Sequence, residues 1–259
     1  MIAAGIDVGA ATAKVVILSD GKILSHFIAP TGFDVIHTAN EITNLALEKA
    51  GCSTDDLGFV VSTGYARSAV PFANKQLTEI SCHAKGARFI SPAVRTIIDI
   101  GGQDSKVIGL NEAGNIAEFS MNEKCAAGTG RFFEVMANVL KLDISQMGAE
   151  SLKSQNPCQI SSTCTVFAES EMVSLRAQGV RREDLIAGIH KAAAARIANM
   201  GKHIGYKREI VLTGGVAKNI GVKKFLEDEI KMEITVPEEP QIIGALGAAL
   251  IAEAELTKQ

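Results

Sequence analysis

Ile98-Asp99-Ile100-Gly101-Gly102-Gln103-Asp104-Ser105-Lys106 decides how this chain is read, because the same pattern has already occurred once. The earlier copy is Ile6-Asp7-Val8-Gly9-Ala10-Ala11-Thr12-Ala13-Lys14; Asp7 to Asp99 and Lys14 to Lys106 are both 92 positions apart. Each copy is an apolar run, a glycine turn and a second apolar run. Each then reaches another turn, at Asp20-Gly21 or at Ala113-Gly114. Apolar runs broken by such turns read as β-hairpins. Two hairpins matching in Asp, Gly, Lys and the downstream turn argue for a duplicated unit.

Between and after the copies the apolar period changes. Ile36, Ala39, Ile42, Leu45 and Ala46 mark a helix over Val35–Ala50, with Gly51 as its C-terminal cap. Leu57–Ser62 reads as a strand. Helices are predicted at about 130–141, 165–178 and 184–204, a strand over Glu209–Thr213, and a helix near 220–231. A short strand, Glu233–Val236, and a closing helix near 242–255 complete the order. Strands alternating with helices predict an α/β fold with mixed sheets.

Composition bounds the function. The chain has 259 residues, 47% hydrophobic and 21% charged, so it can bury a sizeable core. A net charge of −3 leaves no basic footprint for nucleic acid. No apolar run approaches the ~20 residues that span a bilayer. Asp7 comes too early for a secretory signal, so a cytoplasmic protein with no membrane contact is expected. In that reducing compartment Cys52, Cys82, Cys125, Cys158 and Cys164 are thiols or metal ligands rather than disulfides.

The glycine turns have a chemistry. Glycine lets backbone N–H groups approach anionic oxygens closely, and an Asp at the strand end suits a hydrated Mg²⁺. A third such turn, Thr213-Gly214-Gly215-Val216-Ala217-Lys218-Asn219, follows a strand and precedes a helix. The three together resemble the two phosphate motifs and the adenosine motif of the acetate-kinase, sugar-kinase, heat-shock ATPase and actin superfamily (ASKHA). That resemblance covers the whole chain and implies two ribonuclease-H-like domains with ATP between them. The first would comprise 1–95 with the closing helix 242–259; the second, 96–241, would carry the cysteines Cys125 and Cys164. It implies that Asp7, Asp99 and Asp104 are the catalytic carboxylates organising Mg²⁺ and water. Gly9, Ala10, Ala11, Thr12, Ala13 and Lys14, with Gly101, Gly102 and Gln103, would contact phosphates. Gly214, Gly215, Asn219 and Gln241 would lie by the nucleoside. This is catalysis by positioning and electrostatics, as phosphoryl transfer requires.

Two cysteines stand apart. Cys125 lies in Asn122-Glu123-Lys124-Cys125-Ala126-Ala127-Gly128-Thr129-Gly130, just before a helical run. Cys164 lies in Ser161-Ser162-Thr163-Cys164-Thr165-Val166-Phe167, before another, with Ser or Thr available as a cap. A helix N-terminus favours a thiolate or an anionic cluster. A four-iron cluster commonly takes four thiolates. Two per chain, doubled by a twofold axis, would supply them; a set within one chain that pairs Cys158 with Cys164 stays open.

Met121–Phe133 and 162–171, together with Glu79-Ile80-Ser81-Cys82-His83-Ala84 and 241–250, resemble the ATP-dependent activator component of 2-hydroxyacyl-CoA dehydratases and its relatives. These are the BadF/BadG/BcrA/BcrD ATPases and the reductases of double-cubane cluster proteins. That resemblance implies a homodimer in which Cys125 and Cys164 of both copies bind one 4Fe–4S cluster. It implies ATP and Mg²⁺ as further cofactors and ferredoxin or flavodoxin as electron donor. The acceptor would be an iron–sulfur dehydratase or a double-cubane cluster protein, and the cell an anaerobe. Cys82 and His83 read as structural. The competing reading is a small-molecule kinase of the same superfamily, which would need neither cysteine.

Overall fold

The chain is described from a computed structural model covering residues 1–161 and 164–258. In chain order its elements are β1 (Ile2–Val8), β2 (Thr12–Ser19), β3 (Lys22–Pro30), α1 (Val35–Ala50), β4 (Leu57–Thr63), β5 (Lys75–Gln76), α2 (Glu79–Ile90), β6 (Thr96–Ile100), β7 (Ser105–Leu110), β8 (Ile116–Asn122), α3 (Gly130–Leu140), α4 (Met147–Ser151), α5 (Thr165–Ala177), α6 (Arg182–Met200), β9 (Ile210–Thr213), α7 (Ile220–Ile230), β10 (Ile234–Thr235) and α8 (Ile243–Leu256). They form two compact units: Met1–Val94 with Leu110–Ile116 and Pro237–Gln259, and Arg95–Gly109 with Ala117–Val236.

The first unit is built on a sheet of order β3-β2-β1-β4-β5, β1 antiparallel to β2 and parallel to β4. Its central strands are covered on both faces, which is why they read as unbroken apolar runs. Val15 and Ile17 pack with Ile42, Ala46 and Leu47 of α1, whereas Val16 and Leu18 pack with Leu246 and Ala249 of α8. Helix α1 starts where Asp34 accepts the His37 N–H at 2.9 Å and stops at Gly51, whose φ of +69° suits glycine.

No element is assigned to Glu79–Ile90 from the sequence, yet this is α2. Its buried face, Ile80, His83, Ala84 and Ala87 at helical spacing with Cys82 and Gly86 beside it, is mostly small or polar, so it lacks the large apolar residues that mark a helix in sequence. It crosses α8 so closely that a Cβ on Gly247 would lie 1.7 Å from the Cys82 carbonyl oxygen. A crossing this tight needs small residues, Gly86 and Gly247 among them.

The second unit repeats the plan: order β10-β9-β6-β7-β8, with β6 antiparallel to β7 and parallel to β9. The chain is therefore an α/β protein of two ribonuclease-H-like units. Ile98, Ile100, Phe132, Phe133, Met136, Ile186, Ile189 and Leu212 are among its buried core. Helix α6 ends at Met200, short of the expected 204, because Gly201 stops it there. The Tyr206 hydroxyl donates to the Ile197 and Ala198 carbonyls at 3.1 and 3.2 Å and so satisfies the end of the helix.

Candidate functional site

The duplicated motif is, in space, a cross-strand ion pair beside a turn. Asp7 and Lys14 sit directly opposite each other on β1 and β2, with Lys14 Nζ 3.4 Å from Asp7 Oδ2. The turn between them is closed by the Gly9 N–H, which donates to the Thr12 carbonyl at 3.1 Å. Thr31 fastens it from β3's end: its hydroxyl donates to the Gly9 carbonyl and its N–H to that of Ala11. Ala10 and Ala11 are exposed at the tip, Thr12 is half-buried, and the Ala13 side chain lies in the core, so only small side chains flank the backbone there.

Asp99 and Lys106 face each other in the same way on β6 and β7, and the Gly101 N–H closes the turn onto the Asp104 carbonyl at 2.9 Å. Gln103 is exposed at the tip. Here the lysine is 3% exposed and bonds two carboxylates: Asp99 Oδ2 at 3.3 Å and Asp104 Oδ2 in a short contact. The other oxygen of Asp99 accepts the Thr213 hydroxyl at 2.9 Å.

The third glycine turn belongs to this same corner. Thr213 pairs with Asp99 in register, and Gly214, at φ +86°, approaches so closely that a Cβ would lie 3.0 Å from Asp99 Oδ1. Gly215 opens a short 3₁₀ turn. Asn219 then caps α7, its Oδ1 accepting the Gly221 and Val222 N–H groups at 3.0 and 3.3 Å. His190, fully buried on α6, places Nε2 3.1 Å from that same oxygen and Nδ1 2.8 Å from the Ile186 carbonyl. Burial pushes the imidazole pKa down.

The first unit holds a counterpart that the sequence reading misses. Thr63 pairs with Asp7 in register, and Gly64, at φ +89°, would bring a Cβ within 2.5 Å of Asp7 Oδ1. Thr63-Gly64 and Thr213-Gly214 do match, but at a different offset from the one that relates the hairpins. A search at a single spacing passes over them. Gln241 lies in the turn before α8, its N–H bonded to the Glu239 side chain at 3.2 Å.

The cysteines occupy unequal places. Cys164 is the N-cap residue of α5 and makes no side-chain cap bond itself; Ser162 and Thr163 of this motif, among the residues expected to be available as a cap, lie outside the described residues. Cys125 lies in the loop ahead of α3, whose N-cap is Thr129. Asn122 holds that loop by donating to the Cys125 carbonyl at 2.8 Å. Both thiols are half-buried. Arg176 in the last turn of α5 donates to the Val139 carbonyl in the last turn of α3 at 3.1 Å. That contact ties the C-terminal turns of the two helices together. Neither Cys82 nor Cys158 shares this character. Burial pushes Cys82 up to about 12 and Cys158 up to about 11, and Cys158 is packed on Gly188.

One contact joins these features. The first N–H of α3, from Gly130, donates to the Gly101 carbonyl at 2.9 Å, and the next, from Arg131, to the Gly102 carbonyl at 2.8 Å. The helix after Cys125 is capped by the glycine turn beside Asp99.

Among the described residues no three His, Cys, Asp or Glu are gathered as a metal cage. Nucleotide-bound Mg²⁺ asks for less: one or two carboxylates, with phosphate and water oxygens completing its shell. Asp99 and Asp104, hard oxygen donors beside an anion-ready turn, fit that need. A four-iron cluster takes four thiolates. Cys125 and Cys164 fit as half of that set.

The profile of the BadF/BadG/BcrA/BcrD ATPase family matches residues 4–252. The 2-hydroxyisocaproyl-CoA dehydratase activator of Clostridioides difficile is 46% identical over 253 residues, 97% of this chain and 95% of that protein. The (R)-2-hydroxyglutaryl-CoA dehydratase activating ATPase of Acidaminococcus fermentans is also 46% identical, over 98% of each chain. Among solved structures, the activator of the 2-hydroxyisocaproyl-CoA dehydratase from Clostridium difficile with bound ADPNP superposes with a TM-score of 0.94 at 45% identity, covering 100% of this chain and 96% of that one.

Proposed function

The chain belongs to the BadF/BadG/BcrA/BcrD ATPase family, and from that premise we propose that it spends ATP to send single electrons into a partner iron–sulfur enzyme. The partner class favoured by its relatives is a 2-hydroxyacyl-CoA dehydratase; a double-cubane cluster protein asks for the same donor. The electron would come from one 4Fe–4S cluster per homodimer, held by Cys125 and Cys164 of each copy and loaded by ferredoxin or flavodoxin.

The observation that carries the reading is the bonding of Gly130 and Arg131 to the Gly101 and Gly102 carbonyls. In this reading the N–H groups of Gly9–Lys14 and Gly101–Gln103 bind phosphate oxygens. Asp7, Asp99 and Asp104 orient Mg²⁺ and the attacking water, and Gly214, Gly215, Asn219 and Gln241 line the nucleoside. When Gly101 and Gly102 shift between triphosphate and diphosphate, the first turn of α3 shifts with them. The Cys125 loop follows. Binding of ATP does work on the cysteines only if it discriminates between two such arrangements, and a helix hydrogen-bonded to the phosphate turn provides that discrimination.

The homodimer rests on ligand count and on surface. One chain supplies two suitable thiols. Beside Cys164, Val166 and Phe167 are 67% and 68% exposed, an apolar pair suited to cover by a second copy.

Isolation without air tests this. A brown, dimeric protein with about two irons per chain is expected, losing its colour in Cys125→Ser and in Cys164→Ser while keeping nucleotide affinity. Full multiple-turnover electron transfer with a non-hydrolysable ATP analogue would overturn the reading, as would a metal-free monomer.

A further inference from the structure

Lys106 has no role in the reading above, yet its position is unusual. A lysine on a central strand is 3% exposed, where an apolar residue would pack without penalty. Burying an ammonium is expensive unless it is fully answered by charge and hydrogen bonds. Lys106 is answered by two carboxylates: the Asp99 Oδ2 contact at 3.3 Å and the short contact to Asp104 Oδ2. Both are the acids assigned above to the metal. Lys14, the equivalent residue in the first unit, pairs with Asp7, and Thr12 stands where the second copy has the second carboxylate, Asp104.

The arithmetic of charge gives the lysine a purpose. Two adjacent carboxylates alone would attract any divalent cation, and free Mg²⁺ would occupy them before nucleotide arrives. One ammonium cancels one of those charges and fixes both side chains in place, with Thr213 holding the far oxygen of Asp99. The remaining charge is too little to strip water from Mg²⁺, which dehydrates reluctantly. A nucleotide's phosphates supply the rest.

We propose that Lys106 is a positioning residue that makes metal binding at Asp99 and Asp104 conditional on nucleotide. This rests on the assignment of those two carboxylates to the metal, and it is independent of the cysteines and of any cluster.

The test uses Mn²⁺ as probe on the full-length protein, read by electron paramagnetic resonance or calorimetry, with folding checked by circular dichroism. Wild-type protein should bind Mn²⁺ weakly alone and tightly with a non-hydrolysable ATP analogue. Lys106→Met should raise the affinity for Mn²⁺ alone by at least about tenfold, since a positive charge is removed from within contact distance. Should that variant not fold, a second pair decides. Asp104→Asn, which leaves one carboxylate against the lysine, should lose the nucleotide-dependent Mn²⁺ site. Asp104→Asn combined with Lys106→Met restores the charge balance and should regain it. A folded Lys106→Met that binds Mn²⁺ alone no better than wild type overturns the proposal, as does a double variant no better than Asp104→Asn. If instead Asp99→Asn leaves the nucleotide-dependent Mn²⁺ signal unchanged, the metal assignment itself fails.

Discussion

The N–H of Gly130 donates to the carbonyl of Gly101 at 2.9 Å, and a Cβ on Gly130 would lie 3.2 Å from the Gly102 Cα. The N-cap residue of α3, Thr129, makes no side-chain cap bond. Its first donors are satisfied by the backbone of a phosphate-type turn instead, so the helix and the turn move as one piece. The same two residues were read from the sequence as parts of separate motifs.

Arg131→Pro isolates this link. Proline is tolerated in the first turn of a helix and removes only an N–H that no helical carbonyl uses. Here that N–H bonds the Gly102 carbonyl at 2.8 Å. The substitution also removes the exposed pair with Glu134, a loss of roughly 0–1 kcal/mol that Arg131→Ala reproduces on its own. Expected: Arg131→Pro lowers ATP-driven electron transfer to the dehydratase at least about tenfold, equivalent to about 1.4 kcal/mol of coupling, with nucleotide affinity retained. Arg131→Ala should behave as wild type. Stopped-flow reduction of the partner, set beside nucleotide titration, measures both.

His190 makes stability depend on pH. Burial lowers its pKa in the folded chain, against the opposing hydrogen bonds to Ile186 and Asn219. The unfolded chain, with an ordinary imidazole near pH 6.5, then binds more protons as pH falls. The contribution of His190 is therefore complete above about pH 7 and declines as pH drops through about 6.5. Urea unfolding at several pH values should show this slope, and His190→Gln should flatten it. An unchanged slope in that variant would assign the effect to other groups.

Gly247→Ala attacks the α2–α8 crossing. The added methyl would meet the Cys82 carbonyl at 1.7 Å and the Gly86 nitrogen at 2.9 Å, both backbone. Backbone cannot step aside as a side chain can, so a loss above the ordinary overpacking cost of about 1–3 kcal/mol is expected. Thermal denaturation of the purified variant checks it. Gly51→Ala, at φ +69° with open space around it, should cost only about 1 kcal/mol.

Phe167→Glu tests the dimer. At 68% exposure the side chain contributes little to the packing of its own chain, so the variant should fold with a wild-type melting temperature. A charge on that surface should nevertheless raise the dimer dissociation constant, which sedimentation velocity reads directly. A variant that stays dimeric at the same concentrations removes α5 from the interface.

Helices α1, α3, α5, α7 and α8 lie within a residue or two of their sequence positions, because each carries a cap, a period or a glycine stop that acts locally. Helix α2 was illegible because its buried face, Ile80, His83, Ala84 and Ala87, is small or polar apart from Ile80 and does not read as an apolar stripe. The phosphate-type turns were legible through their repeat. Gly64 was not, since its kinship to Gly214 runs at another spacing and appears only when β4 and β9 are seen to occupy the same place in their sheets.

By itself the sequence determined what short-range physics governs: most of the strand and helix order, the glycine turns, and the cysteines ahead of helical runs. Only the tertiary structure decided which groups meet. Lys106 reaches Asp104 and Asp99 together, Thr213 reaches Asp99 from a strand more than a hundred residues away, and α3 hangs from the Gly101 turn. Such contacts depend on strand order and register, and these are settled by the packing of the whole unit, which no local pattern records.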